Sequence, residues 1–191
     1  MSEFEFTYHW FASTARPIWE QLLPQIGPTK ILEVGSYEGA SACYLIDKLG
    51  RDADIELHCV DTWSGGIEHQ TGGGADSDMN AVEARFERNI QRAVAAVPRK
   101  VEVTRHTGPS DFERSRLLSE NKRNYFDFVY IDGSHQAPDV LCDAVPGFTL
   151  LRVGGLMAFD DYLWAEQLPY GKDPLRCPKP AIDAFINLNI R

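Results

Sequence analysis

Short apolar runs alternate with longer amphipathic stretches along this chain. Lys30–Val34, Ile55–Val60, Val101–Arg105, Phe126–Ile131 and Leu156–Phe159 have the length and character of strands. Between them, apolar residues return at helical spacing. Met79–Val97 is the clearest case: Ala81, Val82, Ala84, Phe86, Ile90, Ala93, Val94 and Val97 make a buried face, and Arg85, Glu87, Arg88 and Arg92 face out. Pro98 closes it. Gly39–Leu49 reads as a helix stopped by Gly50, and Asp111–Glu120 as one with Ser110 as N-cap. Ala137–Leu151 is mostly helical with a kink at Pro146, and Ala181–Leu188 is the last helix. Residues 8–23 are helical, interrupted at Pro17, with Trp10, Phe11, Ile18, Trp19, Leu22 and Leu23 for a buried face; Pro24, Gly27 and Pro28 end the helix. Strands that alternate with helices predict one parallel α/β sheet, doubly wound, with right-handed crossovers and helices on both faces.

In such a sheet, ligands bind at the carboxyl ends of the strands where the strand order reverses. The residues after the five strands are therefore the informative ones. They are Glu33–Gly39, Asp61-Thr62-Trp63, Gly108-Pro109-Ser110, Asp132-Gly133-Ser134-His135 and Asp160-Asp161-Tyr162. Acidic, polar or glycine residues stand at every one of them.

Composition narrows the partners. With 28 acidic against 19 basic residues the net charge is −9 over 191 residues, which disfavours phosphate backbones and anionic lipid surfaces. No apolar run reaches the roughly 20 residues that span a bilayer. The N-terminus lacks the basic-then-apolar pattern of a secretory signal. Cys43, Cys59, Cys142 and Cys177 form no CxxC pair, so they read as reduced thiols of a cytoplasmic protein.

The turn after the first strand carries glycines at 35 and 39. A dinucleotide fingerprint beginning at Gly35 would need its second glycine at 37, where Tyr37 stands, and the Gly-Lys-Ser/Thr of a P-loop is absent. Glu33 places an anion near the turn, which suits an amine-bearing or cationic ligand better than a phosphate. Asp61, at the end of the second strand, can accept ribose hydroxyls. A ligand with a ribose, an amine and a sulfonium but no phosphate is S-adenosylmethionine. The other reading of the turn is an ordinary strand–turn–helix with a surface acid.

ILEVGSYEGAS at 31–41, followed by CVDTWSGGIEH at 59–69, resembles the class I S-adenosylmethionine-dependent methyltransferases. YIDGSHQAPDVLCDA at 130–144 and LLRVGGLMAFDDY at 150–162 are similar to the later motifs of their small-molecule branch, the sugar and catechol-type O-methyltransferases. The resemblance runs from about residue 8 to about 187. It implies a Rossmann-like sheet of order 3-2-1-4-5, without the family's sixth and seventh strands. It divides one domain into an N-terminal helical segment (1–28), a cofactor-binding core (29–162) and an acceptor-side loop with the last helix (163–191). By the same resemblance, Glu33, Gly35, Ser36 and Gly39 line the methionine part of the cofactor. Asp61 holds the ribose, and Trp63, Gly108 and Ser110 lie near the adenine; Asp132 is a further cofactor-binding candidate.

Asp132, Asp160 and Asp161 should converge, because neighbouring parallel strands lie roughly 4.8 Å apart. Three carboxylates together suit Mg²⁺ or a similar hard cation, which would acidify and orient an acceptor hydroxyl; the relatives use aspartates there for a divalent metal. The competing reading is that Asp160 and Asp161 only cap their turn. Asp132 and His135 are the candidate catalytic groups, His135 as general base or as a helix cap. The glycine-rich stretch Ser64–Asn80 is a lid or a surface loop. Leu163–Pro180, with Trp164 and Tyr170, could shape an acceptor pocket, and Lys172, Arg176 and Lys179 could meet an anion. The expected activity is methyl transfer to a hydroxyl of a small molecule, possibly a sugar. The alternative is an inactive or truncated binding protein on the same fold. The open outer edge of the fifth strand invites a homodimer.

Overall fold

The structure is a computed structural model, and it describes residues 4–189. Five strands form one parallel sheet: β1 (Lys30–Val34), β2 (Ile55–Asp61), β3 (Val101–Thr107), β4 (Phe126–Ile131) and β5 (Leu151–Phe159), in the order β3-β2-β1-β4-β5. The helices are α1 (Trp10–Ser13), α2 (Arg16–Ile26), α3 (Ala40–Leu49), α4 (Met79–Ala95), α5 (Ser110–Ser119), α6 (Ala137–Leu150) and α7 (Lys179–Asn189). The order reverses at β1, so the cleft between β1 and β4 is the switch point expected to hold a ligand.

Side chains alternate across each strand and bury two apolar layers. On one face Ile31, Leu57, Cys59, Phe128 and Tyr130 pack against Trp19, Leu45, Ile46 and Phe86 from α2, α3 and α4. On the other, Leu32, Val34, Val60, Val129 and Ile131 meet Leu117, Ala144 and Phe185 from α5, α6 and α7. Register aligns the carboxyl ends. Val34 lies beside both Val60 and Ile131, Asp61 beside Thr107, and Ile131 beside Phe159. The five expected turns therefore open on one edge of the sheet.

Several local expectations are corrected. The 8–23 helix is two helices, broken at Thr14 and Ala15. Pro24 sits inside α2 rather than ending it; Gly27, in left-handed conformation at φ 48°, closes the helix by donating to Leu23 at 2.9 Å. In α4, Ala84 is exposed and Asn89 is buried in its place, where its amide bonds to Glu5 and Glu38. Arg85 turns to the buried Glu38 instead of to solvent. Ser110 does not cap α5; Pro109 holds that position, and the Ser110 hydroxyl bonds Asp143 on α6 at 2.6 Å. β5 begins five residues early, at Leu151, and stays a strand through Gly154-Gly155 because its register against β4 shifts between Phe126 and Phe128. Among the described residues its outer edge has no strand partner. No described helix is long and apolar enough to cross a membrane, and the four cysteines are unpaired.

At the opposite edge, Asp127 ties the sheet together. Its Oδ2 accepts the N–H groups of Thr29 and Lys30 and the Thr29 hydroxyl, each at 2.9 Å, and its Oδ1 meets Arg152. Partial burial opposes the charge, but Arg152 and these donors hold the carboxyl down at about 2, from an ordinary 3.8. Its contribution to stability is thus full above pH 4 and lost as pH falls through about 2. Asp127→Ala should cost about 2 kcal/mol in urea unfolding at neutral pH, with the difference from wild type shrinking in acid.

Candidate functional site

The turn after β1 starts with a close contact. Gly35 has φ 88°, and a Cβ there would stand 2.0 Å from the Asp132 carbonyl oxygen, so only glycine lets the two turns touch. Gly35 donates to Val60 O and Asp132 to Val34 O, both at 2.8 Å. Gly39, also left-handed, begins α3 against Phe86.

Asp61 holds the middle of this turn. Its Oδ2 accepts from the amides of Ser36 (2.9 Å) and Tyr37 (2.8 Å), and its Oδ1 from Trp63 (2.8 Å). A carboxylate offers about four lone-pair sites. Three are used here, and the group is only partly buried. Tyr37 itself adopts φ 46°.

Other expected cofactor residues face into the fold. Glu33 is fully buried, its two oxygens taken by the hydroxyls of Ser36 and Ser41, each at 2.5 Å. It joins β1 to α3 beneath the turn. Trp63 is 5% exposed; its indole packs on Phe86, lies under the Arg105 guanidinium and donates to Tyr37 O at 2.9 Å. Gly108 donates to Asp61 O at 3.0 Å, which fixes the turn after β3 beside the turn after β2. Ser110 belongs to the buried Asp143–Arg114 pair between α5 and α6.

The acids after β4 and β5 do converge. The Tyr130 hydroxyl is 3.1 Å from Asp132 Oδ2 and 2.5 Å from Asp160 Oδ2. One phenol proton cannot serve two carboxylates. Burial, then the charges of Asp160 and Asp161, push Asp132 well above the usual carboxylate range. The neutral form of Asp132 is thereby favoured, and the Tyr130 hydroxyl links the turns after β4 and β5. Tyr130 was not among the expected site residues, although the alternation of FDFVYI puts it on the same face as Asp132.

Asp161, at φ 56°, turns away to His135, with Oδ2 at 2.9 Å from Nε2. On the other side of the ring, Glu68 Oε1 lies 3.2 Å from Nδ1, and Trp164 stacks at 4.1 Å. Burial disfavours an imidazolium, but the two carboxylates outweigh it and raise His135 to about 10. In this arrangement the imidazolium is favoured at neutral pH, and a protonated ring has no free lone pair with which to act as a base. Nor are Asp132, Asp160 and Asp161 assembled for a metal. Asp161 is held by His135, and no group of three or more His, Cys, Asp or Glu among the described residues is placed to hold an ion. Beyond this cluster, Arg176 pairs with Glu166 and Lys179 with Asp183, so neither is held ready for an anionic acceptor.

Two titrations follow from these environments. Burial raises Glu33 from 4.5 to about 7, so its ionisation weakens the fold as pH rises between those values. Glu33→Gln should flatten the wild-type decline, up to about 3 kcal/mol, in urea midpoints measured from pH 4.5 to 7. For His135, the ring-proton NMR shift should stay at its protonated value at pH 7.5 and move only near pH 10. Titration near 6.5 would show that the two carboxylates do not hold it.

Comparison with known proteins agrees with this geometry. Curated protein sequences gave no match. Among solved structures, an O-methyltransferase from Bacillus cereus in complex with SAH superposes with a TM-score of 0.58 at 20% identity, covering 90% of this chain and 66% of that one. The O-methyltransferase TomG from Streptomyces achromogenes, in complex with SAM, gives 0.58 at 19%, covering 90% and 65%. The calicheamicin methyltransferase CalS11 gives 0.60 at 15%, covering 91% and 69%. These likenesses show a shared fold, and the chain spans about two thirds of the length of each of these proteins. A family model described as a methyltransferase domain matches residues 32–162, more than half of the sequence. The chain belongs to that methyltransferase-domain family.

Proposed function

We propose that the protein transfers a methyl group from S-adenosylmethionine to a hydroxyl of a small polar molecule, a sugar being the class that suits an acid-lined site. The observation that carries this reading is the Gly35 turn, held by Asp61 at the switch point directly against the Asp132–Tyr130–Asp160 relay. Family membership and the SAH- and SAM-bound structural neighbours support it.

Bound at the turn, the cofactor supplies an electrophilic methyl on a sulfonium. The chain does the rest. The close-packed glycine turn admits the ligand's backbone-facing side, and the free lone pair of Asp61 takes a ribose hydroxyl. The acids at the reacting end favour a cationic centre and disfavour phosphate. Asp160, the carboxylate at the end of the relay, accepts the acceptor hydroxyl's proton as the O–CH₃ bond forms and the S–CH₃ bond breaks. The products are a methyl ether and S-adenosylhomocysteine. Positioning of the two reactants supplies most of the rate. Oxygen-only acids are the donor class a hard cation such as Mg²⁺ takes, but Asp161 would first have to leave His135, so the relay alone is assigned the proton.

Calorimetry with S-adenosylhomocysteine tests the reading. Asp61→Ala should weaken binding at least tenfold. Asp160→Asn should leave binding within about twofold and lower methylation of polyhydroxylated acceptors by about 100-fold or more. Absence of binding at millimolar ligand would sink the proposal.

A further inference from the structure

The segment between β2 and α4, residues 64–78, lies across the turn on which the proposed cofactor site rests. The His69 ring stacks on Tyr37 at 5.2 Å, and the Tyr37 hydroxyl bonds Ser77 Oγ at 2.9 Å. Glu68 reaches further, to His135 Nδ1 at 3.2 Å, and so bridges from the cofactor side to the acceptor side. Its own backbone is braced from behind. Glu68 O accepts from Ala75 at 3.0 Å, and a Cβ at Gly73 would stand 2.2 Å from that oxygen. The cavity left beside Asp132, His135, Asp160 and Asp161 is about 10 Å³, room for roughly one water. Sites for ligands of cofactor size measure roughly 300–1,000 Å³. That cavity is lined by residues between 131 and 178 and by none of 64–78, and Glu68 meets its rim through His135.

We infer that residues 64–78 are a lid over the cleft and that Glu68 is its latch, a positioning residue that acts through His135. This rests on the methyltransferase reading of the cleft. The latch joins three separate loops, because His135 is clamped between Glu68 of the lid and Asp161 after β5, with Trp164 of the acceptor-side loop on its face. Opening the lid frees one side of the ring. Closing it over bound ligand restores the clamp and sets the imidazolium and Trp164 as a fixed wall of the acceptor site. Glycines at 65, 66, 72, 73 and 74 give the segment the backbone freedom such a motion needs.

The test uses the full chain as wild type, Glu68→Gln and Glu68→Asp. Stopped-flow tryptophan fluorescence gives the S-adenosylhomocysteine association rate, and hydrogen exchange reports the amides of 64–78 without ligand. Glu68→Gln keeps the side-chain volume and loses the charge. It should associate about tenfold faster, and the lid amides should exchange about tenfold faster, while the thermal midpoint stays within about 2 °C. Glu68→Asp should fall between the two. Measurable binding with an unchanged association rate, or unchanged lid exchange, overturns the latch. If no variant binds S-adenosylhomocysteine, the methyltransferase reading fails, and lid exchange alone then decides whether Glu68 holds the segment.

Discussion

The strand-end site depends on one backbone contact, the α-carbon of Gly35 against the carbonyl of Asp132. Parallel strands bring the turns after β1 and β4 side by side, but a side chain on the first would hold them apart by its own bulk. With hydrogen there, the turn after β4 donates into β1 through Asp132, and the turn after β1 donates into β2 through Gly35. The proposed cofactor side and reacting side are then held next to each other by the sheet itself. Asp61 completes the unit from β2 by gathering the Ser36, Tyr37 and Trp63 amides onto one carboxylate.

Charge is managed inside this frame with little help from basic residues. Three acids follow β4 and β5, and a fourth, Glu68, arrives from the lid. Mutual repulsion of bare carboxylates at such distances would be costly. The structure disposes of it in two ways. Asp132 and Asp160 share the Tyr130 hydroxyl, and burial with the neighbouring charges favours the neutral form of Asp132. Asp161 and Glu68 face the His135 imidazolium from opposite sides. The same two devices separate the roles of the groups. The relay has a carboxylate end that can take a proton, and the histidine, already charged, works as a clamp. A comparable economy holds Glu33, whose buried carboxyl is kept by two serine hydroxyls rather than by a cation.

The order of strands and helices, the switch point and the five acidic or glycine turns at one edge were all legible in the amino-acid sequence. Hydrophobic period and breaker residues are local signals, and parallel connectivity leaves few ways to assemble them. Gly35, Asp61, Asp132 and Asp160 could be placed for the same reason: each directly follows a strand, and register carries it to the site. What only the tertiary structure decided is which way each side chain turns and what it meets. Glu33 and Trp63 follow the strand-end rule yet face inward, because Ser41 of α3 and Phe86 of α4 await them there. Tyr130 could have been found from the alternation of its strand. Glu68 could not, since its pairing with His135 depends on how a glycine-rich segment folds back 67 positions away in the chain. The protonation of His135 and Asp132 lay equally out of reach, because a charge state is set by neighbours in space and the chain order does not name them.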